Sequence, residues 1–209
     1  MSKPKLILIG AGGHAHACID VIEQSGGYQI VGLVGRPNEL YDQHLGYAVI
    51  ATDNDLATLA KEHHCAFITI GQIQTPDHRI RLYLRAIELG FKLPAIIAPT
   101  AYVSSRANIG TGTIVMHGAI VNAGATVGNN CIINTRALVE HDVMVADHCH
   151  ISTGVILNGD VRVGLGSFVG SGSVIREGVT IGQRSVVGMG VYVRRTQADY
   201  TQFVGGDKA

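Results

Sequence analysis

From Ala101 to Thr196 the chain divides into sixteen six-residue units without an insertion or deletion, and the third residue of every unit is Val, Ile or Leu. These positions run from Val103, Ile109 and Val115 to Ile181, Val187 and Val193. No α-helix has that period. The first residue of each unit is also restricted to Ala, Ser, Thr, Cys or Val, as at Ala101, Ala119, Cys131, Ala137, Ser167 and Ser185. An inward aliphatic and a small corner partner every six residues predict a parallel β-helix, whose coils stack and bury one continuous core. Three units complete a triangular coil, so residues eighteen apart should lie above one another. Cys131 and Cys149 are such a pair and read as small core residues. Corners rich in Asn and Gly, such as Asn122, Asn158, Gly128 and Gly164, suit turns that need unusual dihedrals.

The first hundred residues follow a different pattern. Leu6–Ile9 reads as a short buried strand, followed by the turn Gly10-Ala11-Gly12-Gly13-His14 and a helix over about Ala15 to Gln24. Further strands are expected at 29–34 and 66–70, and helices over 53–64 and from Thr75-Pro76-Asp77 to Gly90. Strand, helix, strand, helix, strand predicts a small parallel α/β sheet over residues 1–97. The β-helix and a short tail then occupy 98–209, with 93–100 as the joint and the repeat failing after Thr196.

Composition removes several function classes. Sixteen basic and sixteen acidic side chains balance, Trp is absent and aromatics are sparse, so nothing argues for nucleic acid or an anionic membrane. The apolar run Leu6–Ile9 is too short for a signal peptide or a membrane span, and a cytoplasmic protein is expected. Four cysteines without C-x-x-C spacing argue against a structural zinc site or a redox pair.

Two places carry chemistry. Gly10, Gly12 and Ala15 fit G-x-G-x-x-G/A between a strand and a helix, where glycines let the backbone approach a phosphate and the helix start offers free N–H groups. The second strand ends Val34-Gly35-Arg36, where an acidic ribose partner would be expected, which argues against a full NAD site. A phosphorylated nucleotide or nucleotide sugar is the expected ligand, with a purely structural tight turn as the alternative; His14 could reach a phosphate or a sugar hydroxyl, or only cap the turn. The other place is Glu140-His141-Asp142, the corner after the inward Val139, with the small Ala123 and Gly159 one coil away on either side. His141 should project outward with room for a ligand. An imidazole beside a carboxylate is an economical general base, because the acid fixes the tautomer and stabilises the imidazolium. Either Asp142 or Glu140 could be that acid, and a solvent-exposed ion pair is the alternative. His150, half a coil further on, should lie on a different face.

The Gly-Ala-Gly-Gly-His turn, the linker Ala98-Pro99-Thr100-Ala101, Ile133-Asn134-Thr135, Val139-Glu140-His141-Asp142 and Cys149-His150-Ile151-Ser152 together resemble the bacterial sugar O- and N-acetyltransferases. The resemblance implies an N-terminal nucleotide-sugar domain, a left-handed β-helix that binds acetyl-CoA, and a homotrimer with active sites between subunits. It implies His141 as the catalytic base, Asp142 as the acid that orients it, and Asn134 as an amide near the sugar. Gly12, Gly13 and His14 match the turn against the nucleotide phosphates. His150 matches an imidazole near the acetyl thioester, and Ser152 and Gly159 fall in stretches that line the coenzyme groove. Two departures stand out: family members commonly carry an acidic pair where this chain has Gly35-Arg36, and a Gly-x-Pro-Ala tail where it reads Val204-Gly205-Gly206-Asp207.

The implied reaction is acetyl transfer from acetyl-CoA to the 4-amino group of a nucleotide-linked 4-amino-4,6-dideoxyhexose, by direct attack and without metal. Its rivals are O-acetylation of a sialic-acid-type sugar and a zinc hydrolase using His117, His141, His148 and His150. A non-enzymatic sugar-nucleotide-binding scaffold is the third.

Overall fold

The computed structural model describes residues 2–204; Gly205–Asp207 of the altered tail lie outside the described residues. The N-terminal region is a sheet of β1 (Lys5–Ile9), β2 (Gln29–Gly35), β3 (Gln43–His44), β4 (Tyr47–Thr52) and β5 (Cys65–Ile68) in the order β3-β4-β2-β1-β5. All its pairings are parallel except the β3–β4 hairpin. β1 lies between β2 and β5, and Leu6, Ile7, Leu8 and Ile9 are wholly buried, as a strand covered on both faces requires. Helices α1 (Gly13–Ser25), α2 (Leu56–Glu62) and α3 (Asp77–Glu88) follow β1, β4 and β5. The hairpin and β4, absent from the sequence-based expectation, insert a further parallel strand beside β2.

The hexapeptide frame is realised as two-residue strands at positions two and three of each unit. Their registers join residues eighteen apart, as Ile120↔Leu138, Ile132↔His150 and Thr126↔Met144 show. Three parallel sheets result. Third-position side chains fill the interior, with Val121, Ile133, Val139, Ile151 and Leu157 fully buried. First-position side chains line the inner corners and bridge coils: Cys149 N–H donates to Cys131 Sγ at 3.4 Å, and Ser185 N–H donates to Ser167 Oγ at 3.0 Å. Both cysteines are free and buried, as small core residues should be.

Second-position residues face outward and give the three walls different chemistry. One wall carries Asn108, Thr126, Met144, Arg162 and Thr180. A second presents Ile96, Ile114, Ile132 and His150 and is buried beneath the α/β region, where those isoleucines share a core with Ile19 and Ile22 of α1. The third carries Tyr102, Ile120, Leu138, Ile156, Val174 and Tyr192, an apolar stripe six rungs long that nothing among the described residues fully covers.

The β-helix extends beyond the strict repeat at both ends. β6 (Ile96–Ile97), within the expected joint, already pairs with Ile114–Val115. After Thr196 the chain does not simply leave the prism: Gln202–Phe203 pairs with Val186–Val187, sixteen rather than eighteen residues away, so the last coil is shortened. The turn expectation needs a correction. Asn122, Asn158, Gly128 and Gly164 stand at the fourth position and none has positive φ; instead the sixth position of fourteen consecutive units, from Gly112 to Gly190, is left-handed. Fourth-position glycines answer to crowding, since a Cβ on Gly164 would come 2.7 Å from Gln183 Cα of the next coil.

Candidate active site

The left-handed sixth position sets the Glu140-His141-Asp142 corner. Eight of its fourteen occupants are glycine, and Asp142, with φ of 61°, is one of the exceptions. Its strained-looking backbone is therefore the geometry of every corner in the repeat, and Asp tolerates that region better than most residues. The conformation turns the Asp142 carboxylate back to the preceding residue: Oδ2 lies 3.0 Å from His141 Nδ1. A carboxylate can only accept, so Nδ1 carries the proton and the Nε2 lone pair is left open. Both side chains are about two-thirds exposed. Glu140 is not the orienting acid: its Oε2 accepts from Asn122 Nδ2 at 2.9 Å and from the His141 backbone N–H at 3.2 Å.

The next coil closes the corner from below. A Cβ on Gly159 would stand 2.6 Å from His141 Cε1 and 2.7 Å from Nε2, so only glycine lets the imidazole lie over that backbone. Gly124 stands in a similar relation to Asp142, whose Oδ1 a Cβ there would strike. Glu140, His141, Asn158, Gly159, Asp160, Glu177 and Gly178 line an open groove of about 670 Å³.

The glycine turn forms a separate cavity of about 530 Å³. Gly10, at φ +121°, must be glycine because a Cβ would enter the Ile70 side chain. Gly12 and Gly13 differ, for a Cβ on either would meet nothing among the described residues. Packing does not demand glycine there, whereas a phosphate resting on the bare backbone would. Gly12 caps α1 without a side-chain hydrogen bond, so the first amides of a 13-residue helix point into the opening. The cavity wall continues through Val34–Pro37 and Glu39, then Thr52–Asn54 on one side and Thr69–Gly71 with His78 on the other. Glu39, Asp53 and Asn54 were not foreseen from sequence because they flank the unexpected hairpin, Glu39 just before it and Asp53 and Asn54 just after it.

His14 and His150 meet where the two regions join, with ring centroids 6.4 Å apart. The first turn of α1 places His14 at the cavity, and its Nε2 is buried without a hydrogen-bond partner among the described residues. Burial, with the Arg79 charge nearby, pushes its pKa down to about 3. His150 is 7% exposed; its Nδ1 donates to the Gln72 carbonyl at 2.7 Å and its Nε2 accepts from Asn134 Nδ2 at 3.1 Å. Burial pushes its pKa down to about 4. His150 therefore stands as a neutral imidazole tying Asn134 to the loop that borders the cavity, on a different wall from His141 as the frame required. Ser152 Oγ lies 2.8 Å from Ser171 Oγ on the next coil.

Arg79 is the unanticipated member of this junction. It is 1% exposed, and its Nη1 donates to the carbonyls of Ile68 and Ile70 and its Nε to that of Asn130, which joins the end of β5 to the β-helix. The four histidines considered for zinc are dispersed: His117 pairs with Asp20 and Thr100, His148 with Asn130, His150 with Gln72 and Asn134, and His141 with Asp142. Among the described residues no three His, Cys, Asp or Glu side chains group to hold a metal ion.

Comparison with known proteins fits both regions. The PglD N-terminal domain family matches residues 5–82, and the hexapeptide repeat of succinyl-transferase matches residues 160–195. The acetyltransferase domain of PglB from Neisseria gonorrhoeae is 33% identical, with 93% of each chain covered and a TM-score of 0.85. This chain belongs to the sugar acetyltransferase family. The acyltransferase shares equal identity, 33%, with PerB from Caulobacter crescentus, solved in complex with CoA and GDP-perosamine, over 95% of this chain and 92% of that one at a TM-score of 0.88. WeeI from Acinetobacter baumannii, at 18% identity and a TM-score of 0.81 over 94% of each chain, has the same fold. Curated protein sequences give no match. The α/β region and the parallel β-helix expected from the sequence, left-handed as the resemblance implied, are thus the architecture of this family.

Proposed function

We propose that this acyltransferase moves the acetyl group of acetyl-CoA to the 4-amino group of a nucleotide-linked 4-amino-4,6-dideoxyhexose, with His141 as general base. The observation that carries the reading is the 3.0 Å contact of His141 Nδ1 with Asp142 Oδ2, on an open corner above Gly159. His141 Nε2 takes a proton from the sugar amine as the nitrogen attacks the thioester carbonyl. The C–N bond forms, the C–S bond breaks, and the coenzyme thiolate leaves with the proton that His141 returns. Asp142 stabilises the imidazolium in between. A positioned base contributes about 10² to 10⁴ in rate, and holding two substrates together supplies much of the rest. CoA and GDP-perosamine in PerB, and acetyl coenzyme A in the PglB domain, support this pair of substrates.

The glycine turn with Gly12, Gly13 and His14 is proposed to hold the nucleotide diphosphate. Asn134, braced by His150, is proposed to border the sugar, and Ser152, His150 and Gly159 to border the coenzyme. The cavity at the turn and the groove at His141 share no residue among those described, so one chain brings only half-sites together. A homotrimer supplies the missing half. The apolar stripe favours it: Tyr102 is 58% and Tyr192 67% exposed on a wall that otherwise carries Ile, Leu and Val, and Leu138 of that stripe lies two residues before the catalytic corner.

Incubation with acetyl-CoA and a panel of UDP-, dTDP-, GDP- and CMP-linked amino and hydroxy sugars, read by mass spectrometry, tests the proposal. Acetylation confined to a 4-amino sugar nucleotide is the expected result. Transfer only to hydroxyl groups would overturn the acceptor, and no binding of acetyl-CoA would overturn the enzyme reading.

A further inference from the structure

The cavity at the glycine turn presents a carboxylate where the sequence lacks one. In an α/β sheet that binds nucleotides over a glycine turn, the ribose lies at the end of the next strand, and an acid there accepts from its hydroxyls. Here that strand is β2, and its end, Gly35, has no side chain. It also has no space for one: a Cβ on Gly35 would come 2.9 Å from Glu39 Oε2, 2.9 Å from Val49 Cγ1 and 3.2 Å from Ala11 Cβ. The one polar atom among those crowding the place of the missing side chain is a carboxylate oxygen, delivered from four residues downstream.

Its delivery is built into the local turn. Pro37–Glu39 forms one 3₁₀ turn, in which Glu39 N–H donates to the Arg36 carbonyl at 2.9 Å and Glu39 Oε2 accepts from Arg36 N–H at 2.8 Å. That leaves Oε1, 3.9 Å from Arg36 Nε, as the oxygen with acceptor capacity to spare. The Glu39 side chain is only 26% exposed, whereas that of Arg36 is 81% exposed, so the acid is held at the wall and the cation swings at the rim. Both residues line the cavity that begins at Gly10.

The order of the sheet sets the direction of the ligand. β5 lies on one side of β1, and its following loop touches the β-helix through Gln72; β2 and β4 lie on the other side, away from that junction. With the diphosphate over the turn after β1, the sugar that must be acetylated runs toward β5 and the nucleoside toward β2 and β4. The ribose then falls at Gly35 and the base beyond it, near Asp53 and Asn54.

We infer that Glu39 is the ribose-binding acid of this enzyme, that it accepts from the 2′-hydroxyl, and that the acceptor substrate is consequently a ribonucleoside diphosphate sugar and not a 2′-deoxyribonucleoside one. The inference rests on the nucleotide-sugar reading above and narrows it. Matched pairs test it: UDP against 2′-deoxy-UDP and GDP against 2′-deoxy-GDP, titrated calorimetrically into the full-length protein and into Glu39→Gln, which keeps an oxygen for the Arg36 N–H, with Asp53→Asn as the comparison. The pair whose base is accepted should show the ribonucleotide binding about tenfold or more tighter in the native protein, the scale of one charge-assisted hydrogen bond. In Glu39→Gln that ratio should fall to within about threefold, while acetyl-CoA affinity and melting temperature hold and Asp53→Asn keeps the ratio. An unchanged ratio in Glu39→Gln, a ratio erased by Asp53→Asn instead, or a native protein indifferent to the 2′-hydroxyl would each overturn the assignment. Binding of none of the four nucleotides would overturn the assignment, and failure of every UDP-, dTDP-, GDP- and CMP-linked sugar to bind while acetyl-CoA binds would overturn the nucleotide-sugar reading itself.

Discussion

The backbone of Gly159 lies directly against the His141 imidazole, so closely that a Cβ there would stand 2.6 Å from Cε1 and 2.7 Å from Nε2. The ring's position is thus set from below by the next coil and from the side by Asp142. Gly159→Ala should displace the imidazole while leaving the coil intact, because the residue is not among those at positive φ. Turnover is expected to fall at least about tenfold, as small misplacements of a catalytic group do, with the melting temperature nearly unchanged; steady-state kinetics and thermal melting read the two effects separately.

Asp142 fills two roles that one substitution can separate. Asn also accepts the left-handed backbone, so Asp142→Asn keeps the corner but removes the charge that stabilises the imidazolium. A loss of about tenfold or more in kcat is expected with little change in stability. Asp142→Ala should lose both activity and stability, because Ala pays the left-handed strain. Comparing kcat and urea midpoints for the two variants checks this.

The apolar stripe gives the assembly prediction. Ile120 is 40% exposed on its second rung, between Tyr102 and Leu138. Ile120→Glu would place a charge in a subunit contact and should convert a trimer to monomers in sedimentation, with loss of transfer activity but retention of the folded coil, since position two faces away from the core. A trimer that survives this change would contradict the proposed contact wall.

His150 makes stability depend on pH in a defined direction. Its folded pKa of about 4 lies below the ordinary imidazole value of 6.5, so between those limits the unfolded chain binds the proton and the folded chain does not. Stability is complete above about pH 6.5 and declines as pH falls toward 4. The contribution is at most about 1.4 kcal/mol per pH unit. Urea unfolding at pH 7.5, 6 and 5 should show this decline. In His150→Gln the slope should be shallower and the protein less stable at pH 7.5, where the Gln72 and Asn134 bonds are disturbed.

The β-helix was legible because its determinants are periodic: a buried aliphatic such as Val139 repeats at a fixed interval, and a period needs no knowledge of tertiary context. The outward corner that holds His141 was legible for the same reason, with Gly159 one coil away, but the frame left Glu140 and Asp142 open as the carboxylate beside the ring, because it does not show which way each side chain turns. The left-handed sixth position was harder to see because Asn130, Arg136, Asp142, His148, Asp160 and Arg184 interrupt its glycines. The β3–β4 hairpin escaped notice because its turn places Leu45, at φ 50°, before Gly46, at φ 89°, where Asn or Asp is the usual signal. Arg79 escaped because an arginine in an amphipathic helix reads as a surface residue. Its burial follows from three backbone carbonyls that only the assembled junction brings together.

The most direct test of the account is single-turnover acetyl transfer by His141→Ala with coenzyme binding measured in parallel. The account predicts that turnover falls at least about a hundredfold while acetyl-CoA affinity and melting temperature stay at the native values. Near-native transfer by that variant would contradict the assignment of His141 as the base.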